Sequence, residues 1–168
     1  MGRIGGQGGW YCRDGALTPL VALSALAALL LQQSGALSVS GVVPNLMLAL
    51  LLAWVLAGVS LLTLVAALTL VAVYAFVWMP FGALSVAWYL GLVLIAAALR
   101  PVLTTYRVFD VALACVGAQL ISWTALALWG LPYPALSSQG VELVLNFAFA
   151  AMMLPLALAA RTVARGRL

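Results

Sequence analysis

The chain has 168 residues, 67% of them hydrophobic and 6% charged, with a mean hydropathy of +1.25. A soluble domain of this size carries roughly a quarter charged residues, so seven arginines and three acids exclude a water-facing globule and leave lipid as the favoured surroundings. The net charge of +4 comes from arginines scattered in ones and twos between apolar stretches, which excludes the continuous basic patch of a nucleic-acid binder.

Residues 1–15 are polar and Gly-rich, with Arg3, Arg13 and Asp14, and read as a short cytoplasmic tail. The first apolar span covers 16–31. Its arginine-flanked, Ala-rich make-up resembles a secretory signal, but five further apolar spans follow, so it is read as an uncleaved helix. Pro19 lies early enough in it to be tolerated. An uncharged connection, Gln32–Gly41, leads to Val42–Val77, a run of 36 residues without a charge. A single helix of that length would be about 54 Å long against a hydrocarbon core of about 30 Å. Two helices over 42–57 and 59–77, with a tight turn at Gly58, fit better. Trp78-Met79-Pro80-Phe81-Gly82 then forms an interfacial turn with an aromatic at headgroup depth.

The fourth span, 82–99, stops at Arg100-Pro101. A polar connection containing Arg107 and Asp110, close enough to pair, leads to the fifth span at 111–129. Gly130-Leu131-Pro132-Tyr133-Pro134 breaks that span. The sixth covers 141–160, with Glu142 in its first turn and Pro155 expected to bend it. A basic tail, 161–168, closes the chain with Arg161, Arg165 and Arg167.

Charge parity supports six spans. With a cytoplasmic N-terminus, Arg3 and Arg13, Arg100 and Arg107, and the terminal arginines all fall inside, as the positive-inside rule requires. Reading Val42–Val77 as one helix would place five arginines outside. The expected fold is therefore an all-α, polytopic bundle of six transmembrane helices, both termini cytoplasmic.

Lipid tails are as apolar as Leu, so such helices associate through small residues and a few polar contacts. Small residues recur every four positions at Ala49, Ala53 and Ala57, at Ala83, Ala87 and Gly91, and at Ala114, Ala118 and Ser122. A four-residue step turns only about 40° around a helix, so each row marks one face. Polar residues within the spans are Asn45, Gln119, Ser122, Thr124 and Asn146. Each is expected to face protein or water, since an unsatisfied amide in hydrocarbon is costly. Interhelical hydrogen bonding is the favoured role, ahead of substrate contact.

There is no His, no Lys and no close pair of acids, and phosphate-loop, zinc-protease and Ser-x-x-Lys patterns are missing. No catalytic residue, metal site or cofactor is expected. Cys12 and Cys115, one in the tail and one within a span, read as free thiols. Arg100, Arg107, Asp110, Arg161, Arg165 and Arg167 form a charged inner boundary, either a contact surface for partners or a topology signal to anionic lipid.

Short patterns add a resemblance. Pro44-Asn45-Leu46 precedes a Leu-rich run, Phe81-Gly82 opens the fourth span, and Asn146, Pro155 and Arg161 punctuate the last. In layout and in these patterns, over about 16–168, the chain resembles the MreD family, the small membrane subunit of the bacterial rod-shape (elongasome) machinery. That family commonly carries an Asp late in its third helix, where this chain has Val71-Ala72-Val73-Tyr74. The resemblance implies a non-enzymatic scaffold that binds MreC and joins the complex organising peptidoglycan synthesis by RodA and its penicillin-binding partner under MreB filaments. The family's fold is similar to that of the substrate-binding S components of energy-coupling-factor transporters, which form the alternative. Under that alternative a vitamin or metal would bind from outside, with Gln32, Gln33, Tyr133 and Gln139 as pocket candidates; a small-molecule ligand is expected only in that case. The usual small-x-x-x-small surface of the first helix is reduced here to Ser24 and Ala28.

Overall fold

The computed structural model describes residues 15–78, 82–99, 107–128 and 136–166. Within them lie six α-helices and no strand: α1 (Thr18–Ser34), α2 (Leu46–Ala57), α3 (Leu61–Trp78), α4 (Gly82–Leu99), α5 (Arg107–Leu128) and α6 (Leu136–Gly166). A turn of 3-10 helix, Gly15–Leu17, leads into α1, and the extended pair Val39–Val42 is an isolated bridge. Two helices, over Gly15–Ser34 and Ser138–Ala164, are long and apolar enough to cross a membrane. Leu46–Ala57, Leu61–Val77, Val86–Leu99 and Phe109–Ala125 are shorter apolar stretches.

The uncharged run is broken where a left-handed backbone is needed. Gly58 has φ 85°, a region that side chains resist. Its N–H donates to the Val55 carbonyl at 3.0 Å, and the Val59 N–H donates to that of Trp54 at 3.2 Å, the two bonds of a Schellman ending. Two residues on, Ser60 caps α3: its Oγ accepts the Thr63 N–H at 3.2 Å and lies 2.8 Å from the Thr63 hydroxyl.

α2 is the hub. Every one of its residues except Leu56 is buried, as expected for a helix that is apolar all round. α1, α4, α5 and α6 pack directly on it, and α3 packs on α1 and α4. Hydrogen bonds fix the directions. Gln32 meets Met47 while Ser24 meets Trp54, so α1 runs antiparallel to α2. Asn146 meets Asn45 while Arg161 meets Ala57, so α6 runs parallel to it. α1 therefore starts, and α6 ends, at the face where α2 ends.

Several boundaries move relative to the sequence reading, each for a local reason. α1 extends to Ser34, because Gln32 is engaged by α2 and the helix stops only at Gly35, φ 65°. α2 starts at Leu46 rather than 42, since Pro44 restricts the residue before it and Asn45 caps the helix. α5 begins at Arg107 and takes Asp110 into its first turn, where a carboxylate suits the helix dipole. α6 runs from Leu136 to Gly166. Residues 161–166 are thus helix and not tail, and Glu142 lies in the second turn.

Candidate functional site

The polar side chains of the interior gather at the N-terminus of α2. A helix start leaves four backbone N–H groups without intrahelical partners, and in an apolar interior each must find one. All four do here. Leu46 donates to the Pro44 carbonyl at 3.0 Å, Met47 to Gln32 Oε1 at 3.4 Å, Leu48 to Asn45 Oδ1 at 3.1 Å, and Asn45, the cap itself, to Asn146 Oδ1 at 2.7 Å, after which Ala49 makes the first intrahelical bond.

The acceptors are bonded in turn. Asn45 Oδ1 also accepts the Tyr89 hydroxyl at 2.9 Å, and Gln32 Nε2 donates to the Tyr89 oxygen at 3.3 Å. The Asn45 N–H donates to Asn146 Oδ1 at 2.7 Å, which orients that amide so that its Nδ2 donates to Gln119 Oε1 at 3.0 Å. Five side chains from α1, the α2 cap, α4, α5 and α6 thus close one network. Asn146, Gln119 and Tyr89 are 1%, 3% and 6% exposed; Gln32 and Asn45 are half-buried and form its rim. Gln139, one to two turns before Asn146 on α6, is also buried.

The opposite end of α2 is held by the same helix. Arg161 Nη1 donates to the Ala57 carbonyl at 2.6 Å, a cation on an unpaired carbonyl at the negative end of the helix dipole. α6 therefore grips α2 at both termini, with Asn146 above and Arg161 below.

A cavity of about 160 Å³ lies alongside, between α4 and α5, with α2 as its floor. Its lining, including Leu52, Val55, Leu92, Ala96, Gly117 and Ile121, is apolar. Among the described residues no three His, Cys, Asp or Glu side chains come together in a way that would hold a metal ion. Cys115 is a buried free thiol, and Cys12 lies outside the described residues.

The residues singled out in the sequence divide into several groups. Ala49, Ala53 and Ala57 are buried in α2, though so are their neighbours, so the row marks no special face. The α4 row does not face the bundle: Ala87 is exposed, a Cβ on Gly91 would meet no atom within 4 Å, and the buried positions are Val86, Tyr89, Leu92 and Val93. The side chain of Ala83 lies outside the described residues. On α5, Ala118 is buried while Ala114 and Ser122 are half-buried, and Ser122 Oγ donates to the Ala118 carbonyl at 2.9 Å. Thr124 faces outward, against expectation, because its hydroxyl is satisfied by the Leu120 carbonyl of its own helix at 2.7 Å.

Of the family-like positions, Pro44, Asn45, Leu46 and Asn146 meet at the network, Gly82 is the first residue of α4, and Pro155 stands inside α6 between Asn146 and Arg161. Of the charged inner boundary, Asp110 is buried and Arg161, on α6, donates to the last carbonyl of α2. Phe81, Arg100, Arg167, Gln7-containing tail residues 1–14 and Tyr133 lie outside the described residues, as do the side chains of Arg107 and Arg165. Gln33 is exposed at the end of α1.

Tyr89 and the engagement of Gln32 escaped the sequence reading. A hydroxyl-bearing aromatic in an otherwise apolar span is a signal for the first, since a buried Tyr seeks a hydrogen-bond partner. No protein-family model matches this chain, and no curated protein or solved structure is significantly similar to it.

Proposed function

We propose that this chain is a multi-pass membrane protein of six spans, and that it works as a non-enzymatic scaffold subunit of the MreD type. The membrane half of the reading is supported by the polarity of the bundle. Leu23, Leu62, Phe76, Leu128, Val144 and Leu156 are more than half exposed on its outside, while amides are gathered inside. That inversion suits hydrocarbon and would be an aggregation hazard in water. α2, about 18 Å long, is shorter than a hydrocarbon core of about 30 Å and is shielded from it by the helices packed around it. With positive charge inside, both termini are cytoplasmic and the Val39–Val42 bridge is outside.

The observation that carries the scaffold half is the closure of the polar network. Its amides are bonded to each other and to the α2 backbone, so they brace the bundle and offer few donors to a substrate. A subunit built this way acts through its surfaces, binding an MreC-like protein and other elongasome components in the inner membrane. Affinity purification of the full chain from membranes in mild detergent tests this: an MreC-like protein is expected to co-elute, and co-elution of an ATP-driven transport module in its place would overturn it.

One observation favours the S-component reading. Gln32 and Asn45 form a half-buried rim, and the bonds of Gln32, at 3.3 and 3.4 Å, are the longest in the network. A vitamin arriving from outside would displace those first. Mass spectrometry of the purified protein decides the matter, since a tightly bound vitamin would select the transporter.

A further inference from the structure

The cavity between α4 and α5 opens sideways. The two helices touch each other only sparingly, and the rim residues Ile95, Leu99 and Leu113 are 42%, 53% and 50% exposed. Gly117 widens the space, because a Cβ built on it would meet no atom within 4 Å. The volume, about 160 Å³, matches that of an apolar protein cavity of about 150 Å³ that takes up benzene. An α-helix with its side chains is about 10–12 Å across and does not fit. A single hydrocarbon chain does, with about six carbons inside.

The cavity also has a charged end. Leu56, part of its lining, precedes the Ala57 carbonyl that Arg161 holds at 2.6 Å. α5, which forms one wall, begins on Arg107, and Leu99, on the other wall, is the last residue of α4. Among the described residues, the helix ends at this face place Arg107 at the start of α5 and Arg161 and Arg165 in the last turns of α6, with Asp110 in the first turn of α5. We infer that the cavity seats one acyl chain of an anionic phospholipid, whose phosphate lies at the arginine-bearing end of the bundle. Only a molecule with both an apolar chain and an anionic head satisfies the two features together. Free phosphate would use the arginines alone, and a neutral lipid the cavity alone. Basic pockets between membrane helices on the cytoplasmic side bind anionic headgroups in this way. The inference rests on the membrane reading above.

The test uses the full chain reconstituted into phosphatidylcholine vesicles. These contain a trace of phosphatidylglycerol or phosphatidylcholine bearing the same photoreactive acyl chain. The phosphatidylglycerol probe is expected to label Ile95, Leu99 and Leu113 about fivefold more than the phosphatidylcholine probe, the factor one basic residue contributes at an anionic surface. Excess unlabelled phosphatidylglycerol should remove the difference, a readout that needs no variant. Gly117→Phe, which places a ring in open space, should lower labelling by the phosphatidylglycerol probe to the phosphatidylcholine level. Equal labelling by the two probes overturns the inference, as do crosslinks joining two copies through α4 and α5. Flotation separates the two failures: a chain that does not float with the vesicles defeats the membrane reading, and one that floats but labels evenly defeats the lipid site alone.

Discussion

Asn146 is the residue on which most of the interior polar chemistry converges. It accepts the Asn45 N–H and donates to Gln119 while being 1% exposed. Asn146→Ala strands a backbone donor and a glutamine oxygen together, at a cost of about 1–3 kcal/mol. Gln32→Ala removes two longer bonds at a half-buried rim, and water replaces them at well under half that cost. Thermal unfolding in detergent should rank the two variants in that order; equal losses would mean that the network is not organised around Asn146. Arg161→Ala should cost about 2 kcal/mol, the range for a hydrogen bond to a charged group. Arg161→Lys should recover part of it, because one ammonium donor still reaches for the Ala57 carbonyl.

At the scale of elements, two glycines have opposite roles. Gly58 sits at φ 85° in the turn that ends α2, so Gly58→Ala is expected to destabilise by about 1–3 kcal/mol. Gly117 stands inside α5 with open space where a side chain would go. There Gly→Ala should stabilise by about 0.5–1 kcal/mol through helix propensity. Opposite shifts in melting temperature would confirm both assignments, and a loss at Gly117 would mean the backbone is approached more closely there. The helices themselves were legible in the residues, because apolar length and the breaker Gly58 act locally, whereas the ends set by Gly35 and Pro44 were placed a few residues away. The pairing was not. Gln32 reads as loop until α2 is seen to need its Oε1, and the Ala83–Ala87–Gly91 spacing is indistinguishable in sequence from rows that face the core. In a chain this rich in alanine, small-residue spacing alone carries little information on contact.

For the whole molecule, the alternation of helix direction has a measurable consequence. In a background with Cys12 and Cys115 replaced by Ala, single cysteines are introduced at Ser38 and at Arg165. A membrane-impermeant thiol reagent applied to intact cells should label the first and spare the second. After permeabilisation both should react. Labelling of both in intact cells would break the six-span topology, and the scaffold reading with it. In the sequence, charge placement alone argues for this topology, since arginines are in excess on the cytoplasmic side of a membrane. The convergence of four other helices on the start of α2 was not legible, because it depends on partners as far apart in the chain as Asn45 and Asn146, 101 residues.

That separation bears on how the protein is made. α2 leaves the ribosome long before α6, and until α6 arrives its cap lacks the Asn146 acceptor and its last carbonyl lacks Arg161. The hub of the bundle therefore stays incomplete until α6 has been synthesised. A nascent protein cut short after α5 would hold α2 without these two partners and be an easy target for proteases. Pulse-chase measurement of such a truncation should show rapid turnover beside a long-lived full-length chain.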